Sequence, residues 1–309
     1  MPVSNVYTVD QAKQNYDVKV TIFKDNTVQF KVYESDITKV KSGYDPLAED
    51  DQSSDNQSIT ELLPEVKLSK SEVESLKEIR SDSLSRSRNL LIDLAHQNYD
   101  IWRSFITLTF AENITDVTEA NKKFNNWSKC ILRKKPDFKY LCVPEFQKRG
   151  AVHYHLITNL ECGSDLLPAR KPKQTKSDKG KYHTLIYYDL PFWVDKEGKS
   201  YGFSSAFDLR LTNDKFNVAL YITKYLYKDI DNRLYGRRKI MHSMDLDRPE
   251  YRETRLKNLS YFIRNSNLVN FYEFKASKPF QKNFQMFEFN LDEYEIDLLR
   301  KNLMHEFEL

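Results

Sequence analysis

Cysteine is scarce and unpatterned. The three present (Cys130, Cys142, Cys162) show no Cys-x-x-Cys spacing among 309 residues. An odd count without a framework excludes a disulfide-stapled secreted scaffold and suits a reducing compartment. Long apolar runs are also missing, and the mean hydropathy is -0.68. A membrane-spanning helix needs about 20 consecutive apolar residues, so none is expected. The opening Met1-Pro-Val-Ser-Asn-Val-Tyr7 has neither a charged nor an apolar leader region, and no secretory signal is expected. A strong excess of one charge is absent: the net charge of +3 does not by itself point to nucleic acid. A phosphate-binding loop is absent too. Gly198-Lys-Ser200 resembles the end of one, but the glycine required five residues earlier is Trp193. An NTPase of that type is excluded, so any duplex unwinding must come from a partner.

What the chain does have is uneven charge. Residues 45–65 carry seven acids and no Lys or Arg. Lys129 to Arg149 holds seven bases against two acids, Arg170 to Lys181 six against one, and Lys224 to Lys239 six against two. Lys-rich stretches are often plain solvated surface. Here they flank the chemically suggestive residues, as a phosphate-binding surface would.

Residues 17–34 alternate around Lys24-Asp-Asn-Thr27 and predict a β-hairpin. The acidic, Ser/Gln-rich stretch 35–65 predicts a mobile linker. A helix is expected from about Ser69 to Gln97. Ser104 to Phe110 alternates as a strand. Val117 to Lys134 has helical spacing, with Phe124, Trp127, Ile131 and Leu132 on one side. Phe138 to Glu145 and Val152 to Asn159 read as a hairpin across Lys148-Arg-Gly150. A basic loop over 161–181 follows, then strands at Thr184 to Tyr188 and Phe207 to Leu211, and a helix at Phe216 to Lys228. Short strands and a final helix at about Leu291 to Phe307 are expected in the remainder. The order predicts an α+β fold: a central antiparallel sheet flanked by helices. The expected divisions are 1–66 (hairpin and linker), 67–230 (the central sheet-and-helix domain, with a basic insertion at about 161–205) and 231–309 (a C-terminal extension).

Two groups of residues carry chemistry. His153-Tyr-His155 lies in a strand, so both imidazoles project to one face, as suits a divalent ion. Glu145 ends the preceding strand, and the hairpin brings it beside them. Two His and a carboxylate leave coordination positions open for phosphate and water. A histidine-triad hydrolase would need a third histidine at 157, which is Ile157. His96, His183 and His242 have no partnering pattern. The second group is Tyr221-Ile-Thr-Lys-Tyr-Leu-Tyr-Lys228. At about 100° per residue, Tyr221, Lys224, Tyr225 and Lys228 share one arc. Val218, Ala219, Ile222 and Leu226 occupy another. Phenols beside cations ionise more easily than usual, and a phenolate is a nucleophile. Tyrosine pairs one turn apart are more often packing; this pair lies off the aliphatic face, while Tyr227 points elsewhere.

These residues together, Phe105-Ile-Thr-Leu-Thr-Phe110, Glu145 with His153-Tyr-His155, and Tyr221 to Lys228, resemble the three ordered motifs of the HUH endonucleases. The last is similar to the YxxKYxxK form of replication initiators from microviruses and related phages and plasmids. The resemblance covers about residues 100–230. It implies an RRM-like sheet and a Mg²⁺ or Mn²⁺ ion on His153, His155 and Glu145. It implies nicking of single-stranded origin DNA through Tyr221 and Tyr225, aided by Lys224, with a 5′-phosphotyrosine link and a free 3′-hydroxyl for rolling-circle replication. It also implies a bacterial host cytoplasm, no membrane, and a host helicase and polymerase as partners. The long insertion and residues 1–99 depart from the motifs. The same chemistry would serve a relaxase or a single-strand transposase. A noncatalytic RRM-like module would need sheet aromatics but neither His-x-His nor the tyrosine helix. A metal phosphodiesterase using water would leave the two tyrosines without a purpose.

Lys148, Arg149, Lys228, Arg170, Lys171 and Lys173 are expected to contact DNA phosphates. The logarithm of affinity for a single-stranded oligonucleotide should then fall linearly with the logarithm of salt, by about 0.7 for each phosphate neutralised. Fluorescence anisotropy across a salt series measures this, and a flat plot would remove the assignment.

Overall fold

The computed structural model describes residues 13–40, 85–168, 173–176, 182–185, 188–189, 193–211, 222, 234, 238–274 and 283–304. In chain order the elements begin with strands β1 (Lys13–Ile22) and β2 (Thr27–Val40), helix α1 (85–97), β3 (Ser104–Phe110), α2 (Val117–Lys134), β4 (Tyr140–Phe146) and β5 (Val152–Thr158). Then come β6 (Leu167–Pro168), β7 (Lys173–Lys176), β8 (Tyr182–Leu185), β9 (Tyr188–Asp189), β10 (Gly202–Asp208) and β11 (Met241–His242). The last are β12 (Glu250–Thr254), α3 (Leu256–Asn265), β13 (Leu268–Phe274), β14 (Phe284–Asn290) and α4 (Glu293–Met304). The fold is α+β, as expected. No described helix is long and apolar enough to cross a membrane.

The chain divides into two compact units, residues 82–249 and residues 1–81 with 250–309. In the second unit the hairpin β1–β2 joins the C-terminal strands in one antiparallel sheet, ordered β12-β1-β2-β14-β13. Val18, Val20, Ile22, Val28 and Phe30 alternate onto one face of that sheet. They pack against Leu259 and Phe262 of α3 and Ile296, Leu299 and Leu303 of α4. Asp292 caps α4 by accepting from the Glu295 amide, and the Glu295 carboxylate accepts from the Asp292 amide in return.

The unit 82–249 holds a seven-stranded antiparallel sheet, ordered β11-β4-β5-β3-β10-β9-β6. β3 and β4 both pair with β5, so the β3-α2-β4 crossover is a split β-α-β with β5 between its strands. α2 covers one face. Asp116 caps it by accepting from the Thr118 amide, and Val117, Ala120, Phe124, Trp127 and Ile131 form its buried stripe. They meet Ile106, Leu108 and Phe110 of β3 and Tyr154 and Leu156 of β5. The other face carries Phe105, Leu141, Val143 and Ile157, packed with Leu91, Leu94 and Ala95 of α1.

Several expectations need correction. β2 continues through Glu34, Ser35 and Asp36 to Val40, because its ladder with β1 satisfies the backbone whatever the polarity of the side chains. The stretch expected as a loop over 161–181 contains β6 and β7. β8 stops at Leu185, and β9 is separate. The strand expected at Phe207 to Leu211 is β10, which begins at Gly202. It ends where the Asp208 carboxylate accepts from the Arg210 amide and turns the chain into a 3-10 turn, Leu209–Leu211. Leu132 lies one residue past the α2 stripe and is exposed. α3 was not anticipated. The expected helix positions 69–84 lie outside the described residues.

At the start of β10 the strands approach closely. Gly202 has φ +152°, and a Cβ there would overlap the Thr109 carbonyl oxygen and the Ala111 amide nitrogen. Gly202→Ala is therefore expected to destabilise the protein by about 1–3 kcal/mol through strain and overpacking. Urea denaturation of the two proteins checks this; an unchanged midpoint would contradict the close approach.

Candidate functional site

All seven residues of β5 are buried, since it is a central strand covered on both faces. Alternation sends Val152, Tyr154 and Leu156 toward α2 and His153, His155 and Ile157 to the opposite face. Tyr154 is the anchor. Its ring lies 4.8 Å from that of Phe124, its hydroxyl donates to Asn121 Oδ1 at 2.7 Å, and burial pushes its phenol well above the usual range.

The β4–β5 turn is tight. Gly150 has φ +87°, its amide donates to the Gln147 carbonyl, and the Gln147 amide donates to Ala151. A left-handed residue is needed there, which glycine supplies without strain. The resulting register sets Glu145 opposite His153 and Val143 opposite His155. On the other side of β5, Thr109 stands opposite His153 and Thr107 opposite His155.

The three expected ligands are brought together unequally. His155 Nε2 and Glu145 Oε2 are 2.6 Å apart, and His155 Nδ1 lies 3.2 Å from Thr107 Oγ1. The Phe105 ring stacks on the His155 imidazole at 5.8 Å. His153 is different. Its Nε2 is shielded from solvent and has no hydrogen-bond partner among the described residues. The two imidazole centres are 6.4 Å apart. Among the described residues, no three His, Cys, Asp or Glu side chains already close around a point; Glu145 instead leans onto His155.

The donor chemistry nonetheless fits a divalent ion. A buried polar atom without a partner is costly, and His153 Nε2 is such an atom, placed next to a carboxylate and a second imidazole nitrogen. Burial chiefly, then the neighbouring His155 and the Arg149 cation, lower the His153 pKa to about 4, with Glu145 opposing. His153 is therefore neutral near pH 7 and offers a lone pair. Thr107 can accept from or donate to His155 Nδ1. It therefore supports either tautomer, including the one that frees Nε2 for a ligand. Thr107 was missed as a site residue. The alternation in Phe105-Ile-Thr-Leu-Thr109 was the available signal, because it puts both hydroxyls on one face.

Lys148 and Arg149 are exposed in the turn next to Glu145. Arg149 Nε donates to Gln147 Oε1 at 2.8 Å. Lys173 begins β7, opposite Leu185. Arg170, Lys171, Tyr221, Lys224, Tyr225 and Lys228 lie outside the described residues. Ile222, next to Tyr221, is described. It is helical and fully buried, and it belongs to the cluster of Phe105, Leu141, Val143 and Ile157 on the histidine face.

Residues 103–230 match the family model of the replication-associated protein ORF2/G2P. That span runs from the start of β3 past the tyrosine-rich segment. This part of the chain resembles a replication-associated protein. Over 133 residues the chain is also 30% identical to the Phasyl DNA replicon protein arp of Escherichia coli, a span covering 42% of this chain and 44% of that relative. The chain thus spans less than half the length of the curated relative it matches. No solved structure gives a significant match.

The depressed His153 pKa has a sign that can be tested. The unfolded imidazole, at about 6.5, takes up its proton before the folded one does. Stability is therefore expected to fall as pH drops from 6.5 toward 4, and less steeply in His153→Asn. NMR titration should place the His153 midpoint near pH 4; a midpoint near 6.5 would contradict its burial.

Proposed function

We propose that the protein is a replication initiator that nicks one strand of origin DNA through a tyrosine nucleophile and later rejoins it. One observation carries this reading: Ile222, inside the Tyr/Lys segment, is buried on the sheet face that holds His153, His155 and Glu145. The similarity of residues 103–230 to a replication-associated family supports the setting.

His153 Nε2, His155 Nε2 and the Glu145 carboxylate would hold the ion, with Thr107 turning its hydroxyl to receive the His155 Nδ1 proton. Mg²⁺ or Mn²⁺ held there would neutralise charge on the scissile phosphate as it becomes five-coordinate. Lys148 and Arg149, exposed beside Glu145, would hold flanking phosphates. Lys224 would favour ionisation of the attacking phenol. The phenolate oxygen of Tyr221 or Tyr225 forms a bond to phosphorus, and the bond to the 3′ oxygen breaks. That oxygen takes a proton and becomes the 3′-hydroxyl available to a polymerase. The phosphotyrosine ester keeps the bond energy, so rejoining needs no nucleotide. Strand separation falls to a partner helicase.

The test is a denaturing gel of the protein mixed with labelled single-stranded origin DNA and Mn²⁺, where a covalent adduct is expected. Removing the metal with chelator, or replacing His153 and His155 together with alanine, should abolish the adduct while leaving most binding. Tyr221→Phe and Tyr225→Phe should each leave some adduct, the double variant none, and Tyr227→Phe should match the parent. Cleavage without metal would overturn the ligand assignment. Loss of all adduct in one single variant would leave a single nucleophile.

A further inference from the structure

Four residues form a row across the sheet on the histidine face. Glu145 of β4 pairs with His153 of β5, His153 with Thr109 of β3, and Thr109 with Phe203 of β10. Direct antiparallel partners project to the same face, so the Phe203 ring shares that face with the histidines. The alternation of β10 agrees: Ala206 is buried toward α2, and Phe207 packs with the cluster around Phe105 and Ile157. Neighbouring strands are about 4.8 Å apart, so Phe203 stands on the order of 10 Å from His153.

Phe203 is 76% exposed. Among the described residues of 82–249, the large exposed hydrophobics are Leu132, Leu167, Phe203 and Met244; Phe203 is the most exposed and the one with an aromatic ring. Its row neighbour is Thr109 and the next residue of β10 on its face is Ser205, and among the described residues Phe203 belongs to no hydrophobic cluster and no ring pair. Yet its backbone is held firmly. β10 pairs with β3 over all seven of its residues, and Gly202 lets the two backbones close up just before the ring. A rigidly mounted, unpacked ring contributes little to the fold. It is well suited to receive a flat partner.

We infer that Phe203 is a stacking platform for one base of single-stranded DNA, next to the phosphate held at His153. A base stacked there would fix which phosphate of the strand reaches the histidines. Phe203 would thus be a positioning residue that favours single-stranded over duplex DNA. The inference rests on the nuclease reading for the position of that phosphate. Base–aromatic stacking tolerates any sequence, because every base has a π face. It is lost in a duplex, where both faces of each base are occupied.

The test uses the full chain and a mixed-sequence single-stranded oligodeoxynucleotide carrying 2-aminopurine at successive positions. Stacking on Phe203 should quench the 2-aminopurine fluorescence in the parent, whichever position carries it, and less in Phe203→Ala. Phe203→Ala should bind the single strand about 5- to 150-fold more weakly. Phe203→Trp should restore binding and Phe203→Leu should not, while binding of the duplexed oligonucleotide stays the same in all. Unchanged binding by Phe203→Ala, full rescue by leucine, or an equal loss on duplex would each overturn the inference. The ring is exposed, so the variants should keep the parent melting temperature; if Phe203→Ala did not, the contrast between Phe203→Trp and Phe203→Leu would decide. The two readings separate cleanly. Loss of binding in Phe203→Ala with no adduct from the parent would keep the platform and sink the nuclease. An adduct with Phe203→Ala binding normally would do the reverse.

Discussion

The register of β5 between β3 and β4 is the constraint on which everything else depends. A slip of one residue would drive His153 and His155 into the α2 core and turn Tyr154 out to the other face. Three features hold it. Gly150 allows a turn too tight for a second register. Tyr154 is seated against Phe124 and bonded to Asn121. The row of Ile106, Leu108 and Phe110 faces the same helix. The hydrophobic packing on one face thus fixes the polar arrangement on the other, and α2 governs the site without touching it.

On the polar face, the burial of two imidazoles in a central strand is a cost. It is offset for His155 by the Glu145–His155–Thr107 chain and the stacked Phe105 ring. For His153 it is not offset. The group stays neutral, with a buried nitrogen unpartnered among the described residues. Unsatisfied buried polar atoms are rare and cluster at functional sites. The turn after Glu145 holds the exposed cations Lys148 and Arg149 at one end of the row, and the exposed Phe203 ring stands at the other. Charge for phosphates and an aromatic plane for a base are the two elements of single-strand recognition.

Legibility followed the kind of signal. Ser104–Phe110 and Val117–Lys134 were read at their true bounds, because strong alternation and a continuous 3.6-residue stripe are local properties. The β4–β5 hairpin was legible through Gly150, and with it the placing of Glu145 beside the histidines. β10 was half missed, since Gly202-Phe-Ser-Ser-Ala206 has no apolar alternation and becomes a strand through its ladder with β3. β6 and β7 were missed for the same reason: segments this short carry no periodic signal of their own and form strands where a partner strand supplies their hydrogen bonds. Trp193 was read only as a missing glycine. In the fold it is a core residue whose indole donates to the Thr109 carbonyl at 3.2 Å.

By itself the sequence determined the faces: which residues alternate, which arc of a helix is apolar, and which strand carries two histidines two positions apart. These follow from the fixed periods of strand and helix and need no knowledge of neighbours. Only the tertiary structure decided which strands are adjacent. It paired the N-terminal hairpin with β12 and β14, from more than 200 residues away. It gave His155 the Thr107 hydroxyl and placed Phe203 in line with His153. Such pairings are set by which apolar faces can be buried together across the whole chain, a sum over distant contacts that no local window contains.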